Sequence, residues 1–252
     1  MQAHIFLLLA LSGGSLALEC HIIGGHLKQI DAGNGQVFGV DDNGMVYTRF
    51  ADFWDVVPGT LAHVTVGPAG VWGVDNGHTI YRLVGGFWAI MAGLLKQIDA
   101  GGDRIVSGVN VNDDIYCVTQ QEAIAAANYD SPNYNNIAGK LKYYSCGPLG
   151  CWGSNSNDDI FFRTGVTPSA CFGKSWVHVG GKLTMIEVGT DGSVYGVNSG
   201  GALYRRVGIT DSSPTGTQWI HINIMGRAFK HVTTDLGQLW LITKDGEIIH
   251  CQ

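Results

Sequence analysis

Short apolar runs separated by turn residues occupy most of the chain after residue 20. In residues 63–84 the runs HVTV, VWGV and TIYRLV are separated by GPAG and DNGH. Period-two alternation bounded by Gly, Asn and Asp predicts short antiparallel strands joined by tight turns. Because no window shows a sustained 3.6-residue apolar stripe, we expect an all-β protein.

The same pattern occurs six times along the chain. Each copy begins at an apolar anchor residue, and the anchors are Leu27, Leu61, Leu95, Leu141, Leu183 and Phe229. Three strands follow each anchor, and a fourth run, such as WDVV at 54–57, precedes the next anchor. Four antiparallel strands in a repeat of about 40 residues are typical of a propeller blade.

We therefore predict a six-bladed β-propeller of four-stranded antiparallel blades. The sixth copy lacks a fourth strand, whereas CHIIGG at 20–25 aligns with WVHVGG at 176–181. The N-terminal strand of the mature chain is expected to complete the last blade, because this pairing closes the ring and removes two exposed sheet edges.

The first residues have the pattern of a secretory leader. An apolar run from Ile5 to Leu11 precedes small residues up to Ala17, as signal peptidase requires. The run is too short to cross a bilayer, which takes about 20 apolar residues. We expect a signal peptide at 1–17, a single propeller domain at 18–252, no membrane span and an extracellular location.

Six cysteines follow the leader. An even number in a secreted chain predicts disulfides. One pair aligns on the strands that close the ring, and a second pair flanks the first turn of copy four. The expected pairs are Cys20–Cys251, Cys146–Cys151 and, by elimination, Cys117–Cys171.

Charge and motifs narrow the function. The formal net charge of −6, without a Lys/Arg cluster, argues against nucleic acid as a partner. The motifs GxSxG, HExxH and GxxxxGK[ST] are absent, so we expect a non-enzyme, with a hydrolase in the central channel as an alternative. No cofactor or metal is expected. Calcium stays open at 110–114 and 155–159, which lack the distal Glu of an EF-hand.

Sugar binding is the chemistry that the repeated words suggest. A pyranose needs a flat apolar surface for its C–H face and planar amide or carboxylate partners for its hydroxyls. The second-strand aromatics supply the surface if exposed, or pack between blades if buried. The polar residue after WGV supplies the partner, although Asn and Asp also favour turns. The candidate carbohydrate-binding residues are Trp72, Asp75, Tyr81, Arg82, Tyr195, Asn198, Tyr204, Arg205, Asp41 and Asn155.

Two other repeated positions are assigned to packing. The glycine of WGV, for example Gly73, is expected where neighbouring blades approach closely. The aromatic that begins the fourth strand is Trp in four copies, and packing between blades is favoured there over sugar stacking. These tryptophans are Trp54, Trp88, Trp176 and Trp219.

The words VWGV and IYR, with a Trp at the fourth strand and LK.I..G beginning the next unit, resemble the tectonin repeat over residues 20–252. The resemblance implies a propeller that binds glycans, including N-acetylglucosamine-type sugars and bacterial surface polysaccharides, in egg and innate defence. Copies three and six depart from it, with Ser107 for the aromatic and Leu241 for the glycine. The alternative is a propeller scaffold for protein–protein contacts, since a fold does not determine a function.

Overall fold

The computed structural model describes residues 18–126 and 131–252. These residues form six four-stranded antiparallel sheets that follow one another around a propeller. The all-β class and the six blades predicted from the repeats are thus confirmed. The expected signal peptide at 1–17 lies outside the described residues.

The first strand stands apart in sequence from the blade that it completes; it is β1 (Cys20–Ile23). Blade one contains β2 (Gln29–Gly33), β3 (Gln36–Val40), β4 (Met45–Phe50) and β5 (Phe53–Thr60). Blade two contains β6 (His63–Gly67), β7 (Gly70–Val74), β8 (Thr79–Val84) and β9 (Phe87–Leu94). Blade three contains β10 (Gln97–Asp99), β11 (Val106–Val109), β12 (Asp114–Val118), the short helix α1 (Gln120–Ala125) and β13 (Asn135–Lys140).

The remaining blades repeat this order. Blade four contains β14 (Tyr143–Gly147), β15 (Gly150–Ser154), β16 (Asp159–Arg163) and β17 (Trp176–Lys182). Blade five contains β18 (Met185–Val188), β19 (Val194–Val197), β20 (Leu203–Val207) and β21 (Gln218–Ile222). Blade six contains β22 (Phe229–Asp235), β23 (Gln238–Thr243) and β24 (Ile248–Cys251).

The ring closes through β1, which pairs with β24 as the outer strand of blade six. Cys20 lies opposite Cys251 in this pairing, and the two form a disulfide across 231 positions of sequence. The closure predicted from the repeat alignment is confirmed. The other two disulfides join the pairs expected from the sequence, Cys117–Cys171 and Cys146–Cys151.

The anchor residues fasten each blade to the one before it. The Leu95 amide donates a hydrogen bond to the His78 carbonyl at 3.0 Å, and the Leu141 amide donates to the Asp113 carbonyl at 2.9 Å. His78 and Asp113 have φ of 71° and 64°, a left-handed conformation that is uncommon outside glycine. All six anchors are buried, so the turn of one blade is fixed against the core of the next.

The repeated glycine of β7 has a different reason from the one predicted. A Cβ added to Gly73 would lie 2.4 Å from Leu61 Cδ1, and Leu61 is the anchor of the same blade. The constraint is therefore contact with the blade's own anchor, rather than approach of a neighbouring blade. In blade six, Leu241 replaces the glycine and the pairing of β22 with β23 shifts register just after the anchor Phe229.

The innermost strands place three buried carboxyl groups around the propeller axis. Asp31 accepts hydrogen bonds from the Val66 amide at 2.7 Å and the Thr233 hydroxyl at 3.0 Å. Ser145 Oγ lies 3.2 Å from Asp99 Oδ2 and 2.8 Å from Glu187 Oε1, and its single proton is donated to one of these carboxyl groups at a time. Carboxyl–hydroxyl contacts thus join blade one to blade six, and join blades three and five to blade four.

Burial governs the ionisation of this carboxyl ring. It raises the pKa of Asp31 to about 6. Burial, followed by repulsion from Asp31, raises the pKa of Asp99 to about 7. Burial and the two aspartates raise the pKa of Glu187 well above its usual value. The folded protein consequently holds protons on these groups at a pH where the unfolded chain has lost them.

Candidate functional site

Four cavities lie at equivalent positions between neighbouring blades. We call each of them a seam pocket and name it by the blades on its two sides. The volumes are about 320 Å³ at seam 2/3, 130 Å³ at seam 6/1, 160 Å³ at seam 3/4 and 240 Å³ at seam 4/5. Pockets that enclose drug-sized molecules begin at about 300 Å³. Only seam 2/3 reaches that size, and the other three are smaller clefts that can cover part of a small ligand such as one face of a sugar ring.

Every seam pocket is made from the same repeated parts. One blade supplies an apolar residue of its third strand and the glycine-containing end of its fourth strand. The next blade supplies its anchor and its aromatics, with the polar turn residue added at seams 2/3, 3/4 and 4/5. At seam 4/5 these residues are Ile160, Gly181 and Lys182 of blade four and Leu183, Asn198, Tyr204 and Trp219 of blade five.

The outer tryptophans form one wall of the pockets. Trp54 lines seam 6/1, Trp176 lines seam 3/4 and Trp219 lines seam 4/5. Each indole Nε1 donates across the seam to a backbone carbonyl, and the bond from Trp219 to Gly180 measures 3.0 Å. Their repeated position in the sequence favoured packing between blades over sugar stacking. The missed signal is the glycine one blade earlier: a Cβ on Gly181 would lie 3.3 Å from the Trp219 ring.

The polar turn residues first of all organise their own turns. Asp75 Oδ1 accepts a hydrogen bond from the Thr79 amide at 2.9 Å, and the Tyr81 hydroxyl donates to Asp75 Oδ2 at 3.0 Å. Asp41 makes the same contacts with Met45 and Tyr47. Burial raises the pKa of the Tyr81 hydroxyl, and the bond to Asp75 adds to the effect.

Asn155 and Asn198 fill the same position with an amide, and both line seam pockets. Their Oδ1 atoms accept from the Asp159 amide at 2.9 Å and the Ala202 amide at 2.8 Å. Asn155 Nδ2 donates to Asp159 Oδ2 at 3.3 Å. Asn198 Nδ2 makes no hydrogen bond to residues 18–126 or 131–252, which leaves this donor for a ligand at seam 4/5.

The second-strand aromatics Trp72 and Tyr195 are buried, which is the packing arrangement that the sequence left open beside an exposed sugar-stacking surface. Trp72 is fully buried and Tyr195 is 7% exposed. Trp72 pairs with Arg82 whereas Gly73 pairs with Tyr81, and adjacent pairs point to opposite faces of a sheet. Trp72 and Tyr81 therefore cannot belong to one site. Tyr195 and Tyr204 are separated in the same way.

The two candidate arginines, Arg82 and Arg205, lie against these buried aromatic rings. Arg82 stacks over Trp72 at 5.0 Å and donates to the carbonyls of Ala69 and Ala123, and burial lowers its pKa. Arg205 is exposed and lies 5.7 Å from the centre of the Tyr195 ring. Neither side chain lines one of the four seam pockets.

Replacing Asp75 by Ala should lower the free energy of unfolding by about 1–2 kcal/mol, because the Thr79 amide and the Tyr81 hydroxyl lose their acceptor. Asp75→Asn keeps Oδ1 and should lose less. Chemical denaturation measures the difference, with Asp211→Ala at an exposed loop as the control. Equal stability of the two alanine variants would show that the turn does not depend on Asp75.

Metal and membrane features can be stated for the described part of the chain. Within residues 18–126 and 131–252, no group of three or more His, Cys, Asp and Glu side chains could hold a metal ion. Across these same ranges, no helix is both long enough and apolar enough to span a bilayer.

The fold and the seam pockets define the class: a closed six-bladed propeller built from sequence repeats, with an aromatic pocket repeated between its blades. The comparison with protein families gives the same class. The Tectonin domain model matches residues 26–244. The chain belongs to the tectonin family. It is also 50% identical over 239 residues to the fish-egg lectin of Cyprinus carpio, an alignment that covers 93% of this chain and 98% of that protein.

Solved structures share the fold at low sequence identity. A gluconolactonase from Xanthomonas campestris superposes with a TM-score of 0.64 at 10% identity, covering 91% of this chain and 86% of that one. An inactive variant of virginiamycin B lyase from Staphylococcus aureus gives 0.59 at 13% identity, covering 94% and 99%. At such identity the likeness shows the propeller fold alone.

Proposed function

We propose that the protein is a secreted, multivalent lectin that binds N-acetylglucosamine-type sugars in its seam pockets. Residues 1–17 would be the signal peptide and residues 18–252 the mature propeller. The ligands would include bacterial surface glycans, in egg or innate defence, and the chain would act by binding rather than by catalysis. Its relative in Cyprinus carpio is a lectin by name, which supports this assignment.

The observation that carries the proposal is the repetition of one pocket around the ring. At seams 3/4 and 4/5 an aromatic ring, Phe161 or Tyr204, lies beside a turn amide, Asn155 or Asn198. The aromatic side chain offers a flat apolar face to the C–H side of a pyranose, and the Asn side-chain amide offers a donor to a hydroxyl or an acetamide carbonyl.

Several weak sites on one rigid body suit a repetitive ligand. A single exposed pocket of this volume binds one sugar weakly. Simultaneous binding of neighbouring residues of a polysaccharide raises the apparent affinity by about 10²–10⁴ when the geometry allows it. The disulfides and the closed ring of six blades hold the pockets at fixed distances from one another.

The double variant Asn155→Asp, Asn198→Asp should bind N-acetylglucosamine about five- to tenfold more weakly at seams 3/4 and 4/5. The carboxylate keeps the Oδ1 acceptor on which each turn depends but removes the donor, and one hydrogen bond contributes about 1 kcal/mol. Titration calorimetry on the intact protein measures the affinity and the number of sites.

The control is Asn34→Asp with Asn223→Asp, which adds the same charge at two exposed turns. The control and Asn198→Asp alone should unfold within about 2 °C of the wild type. Asn155→Asp also loses its hydrogen bond to Asp159 Oδ2 and should be somewhat less stable, so affinity is measured well below its unfolding transition. Undiminished sugar binding by the seam variant would remove the site assignment. Binding of a single protein from egg extract at fixed stoichiometry, insensitive to free sugar, would favour the scaffold alternative.

A further inference from the structure

The seam pockets differ in charge around the ring. The residue just before the anchor is a lysine at seams 3/4 and 4/5, namely Lys140 and Lys182, but it is Leu94 at seam 2/3 and His26 at seam 6/1. The four pockets therefore share their apolar parts but differ in the charge of the residue that precedes the anchor.

Both lysines are held in place at the pocket edge. Lys140 Nζ donates to the Asn112 carbonyl at 2.9 Å and to Asp114 Oδ1 at 2.6 Å. Lys182 Nζ makes the same two contacts with Asn157 at 2.9 Å and Asp159 at 2.6 Å. An ammonium group has three N–H donors, so each lysine keeps one for a ligand. Their side chains are 60% exposed, which leaves that donor accessible.

An arginine is stacked on the outer tryptophan at seams 3/4, 4/5 and also 6/1, where Arg49 lies 5.3 Å from the centre of the Trp54 ring. The Arg163 guanidinium is stacked 4.9 Å from the centre of the Trp176 ring, and Arg206 is stacked 5.2 Å from that of Trp219. The arginines therefore do not distinguish these pockets from seam 6/1. The lysines do, because seams 3/4 and 4/5 each have a lysine in their lining and seam 6/1 has none. Among the described residues, seam 4/5 has only the carboxylate that fixes its lysine, whereas at seam 3/4 Asp159 Oδ2 also lies 3.3 Å from Asn155 Nδ2.

Carboxylates lie close to the pocket at seam 6/1, although the turn residue there does not itself line the cavity. At seam 6/1 the turn residue is Asp41, whose Oδ2 is within 3.4 Å of the hydroxyl of the pocket residue Tyr47. Asp42 lies 3.4 Å from the rim residue His26. At seams 3/4 and 4/5 the turn residues are the neutral amides Asn155 and Asn198. A carboxylate accepts but cannot donate, so an anionic ligand is disfavoured at seam 6/1.

We propose that the pockets at seams 3/4 and 4/5 select an anionic pyranose, a sugar ring carrying a carboxylate or a phosphate, through Lys140 and Lys182. This proposal rests on the proposed sugar-binding function and names the ligand class of two of its sites. Seam 6/1 takes the neutral sugar. Asp114 and Asp159 act as positioning residues, because they orient the ammonium group while Lys supplies the contact.

The expected selectivity is moderate because the rims face solvent. A hydrogen bond between ammonium and carboxylate or phosphate is about twice as strong as a neutral one, but water and salt screen exposed charges. We expect about a tenfold preference for the anionic sugar at low ionic strength, which decreases as salt is added. A neutral sugar should show little dependence on salt.

The test compares three ligands that share one ring: N-acetylglucosamine, N-acetylmuramic acid with a carboxylate, and N-acetylglucosamine 6-phosphate. Titration calorimetry is run on the intact protein and on the Lys140→Met, Lys182→Met variant. We expect the variant to bind the anionic sugars about tenfold more weakly and to lose clearly less affinity for N-acetylglucosamine, so that the ratio of the two affinities falls toward one. Lys140→Arg with Lys182→Arg should restore most of the anionic preference. The two anionic ligands show which group is preferred.

The matched control is Lys96→Met with Lys142→Met. These lysines also pair with aspartates, Asp113 and Asp158, and line none of the four seam pockets, so the control removes the same charge outside the pocket lining. An equal loss of anionic binding in both variants would reduce the effect to net charge and overturn the proposal. Unchanged anionic binding in the Lys140, Lys182 variant would also overturn it, while leaving the lectin function intact. If no ligand binds the wild type, both proposals fail.

Discussion

Replacing Cys20 and Cys251 by Ser should lower the midpoint of thermal unfolding by about 10–20 °C. The bridge closes a loop of 231 residues, for which the chain-entropy model gives about 5 kcal/mol of stabilisation. For a domain of this size, each kcal/mol corresponds to about 2–4 °C. There is also a structural reason for the loss. Without the bridge, β1 is held against β24 only by backbone hydrogen bonds, and β24 becomes an exposed sheet edge whenever β1 detaches.

The comparison variant is Cys146→Ser with Cys151→Ser, which removes a bridge across only 5 positions. The same model gives about 2 kcal/mol for so short a loop, so the midpoint should fall by less than half as much. Calorimetry on the purified proteins measures both. A larger effect at Cys146–Cys151 would mean that local hairpin packing, and not ring closure, dominates the stability of the propeller.

Between pH 6.5 and 8, the free energy of unfolding should fall as the pH rises. Asp99 has a pKa of about 7 in the folded protein, and burial holds that of Glu187 well above its usual value, whereas both groups titrate near 4 in an unfolded chain. The folded state then binds more protons than the unfolded state, and stability is lost as these protons dissociate. Each proton corresponds to a slope of about 1.4 kcal/mol per pH unit.

Two histidines at the axis act in the opposite direction at lower pH. Burial lowers the pKa of His63 to about 4 and, together with repulsion from His63, lowers that of His231 to about 3. Below pH 6.5 the unfolded chain gains protons on these residues that the folded protein does not bind, so stability falls with falling pH. The carboxyl groups oppose this trend, and because an unfolded-chain histidine titrates near 6.5, their effect is fully separate only above about pH 7.5; at lower pH the comparison of Asp99→Asn with the wild type isolates it.

Asp99→Asn should flatten the slope between pH 6.5 and 8 by up to one proton, and Glu187→Gln should do the same. Urea denaturation at half-unit pH steps measures the slope. Asp211→Asn, at an exposed loop, should leave it unchanged. A wild-type stability that rises across this range would show that the carboxyl ring is ionised in the folded protein.

The blade architecture could be predicted because each repeat contains all the residues that form its own strands and turns. Each turn, each strand and each anchor is specified by neighbouring residues, and six copies make a weak pattern distinct. The position of Cys20 opposite Cys251 followed from the same alignment, since one strand was missing at one end and present at the other.

The pockets could not be predicted in the same way, because each is shared between two blades. Tyr204 and Trp219 belong to blade five, while Gly181 and Lys182 belong to blade four. No single repeat contains a complete site. The face on which Trp72 lies depends on the register between β7 and β8, and a shift of one residue reverses it. The sequence alone does not determine that register.

The pocket at seam 6/1 is assembled from the two ends of the chain. Gly25 and His26 follow β1, Ile248 begins β24, and Trp54 belongs to blade one. The Trp54 indole donates to the Gly24 carbonyl at 3.0 Å, so this wall depends on the docking of β1. A protein with reduced Cys20 and a displaced β1 would keep the pockets at seams 2/3, 3/4 and 4/5 and lose this one. The number of sugars bound per protein would then report whether the Cys20–Cys251 bridge is oxidised or reduced.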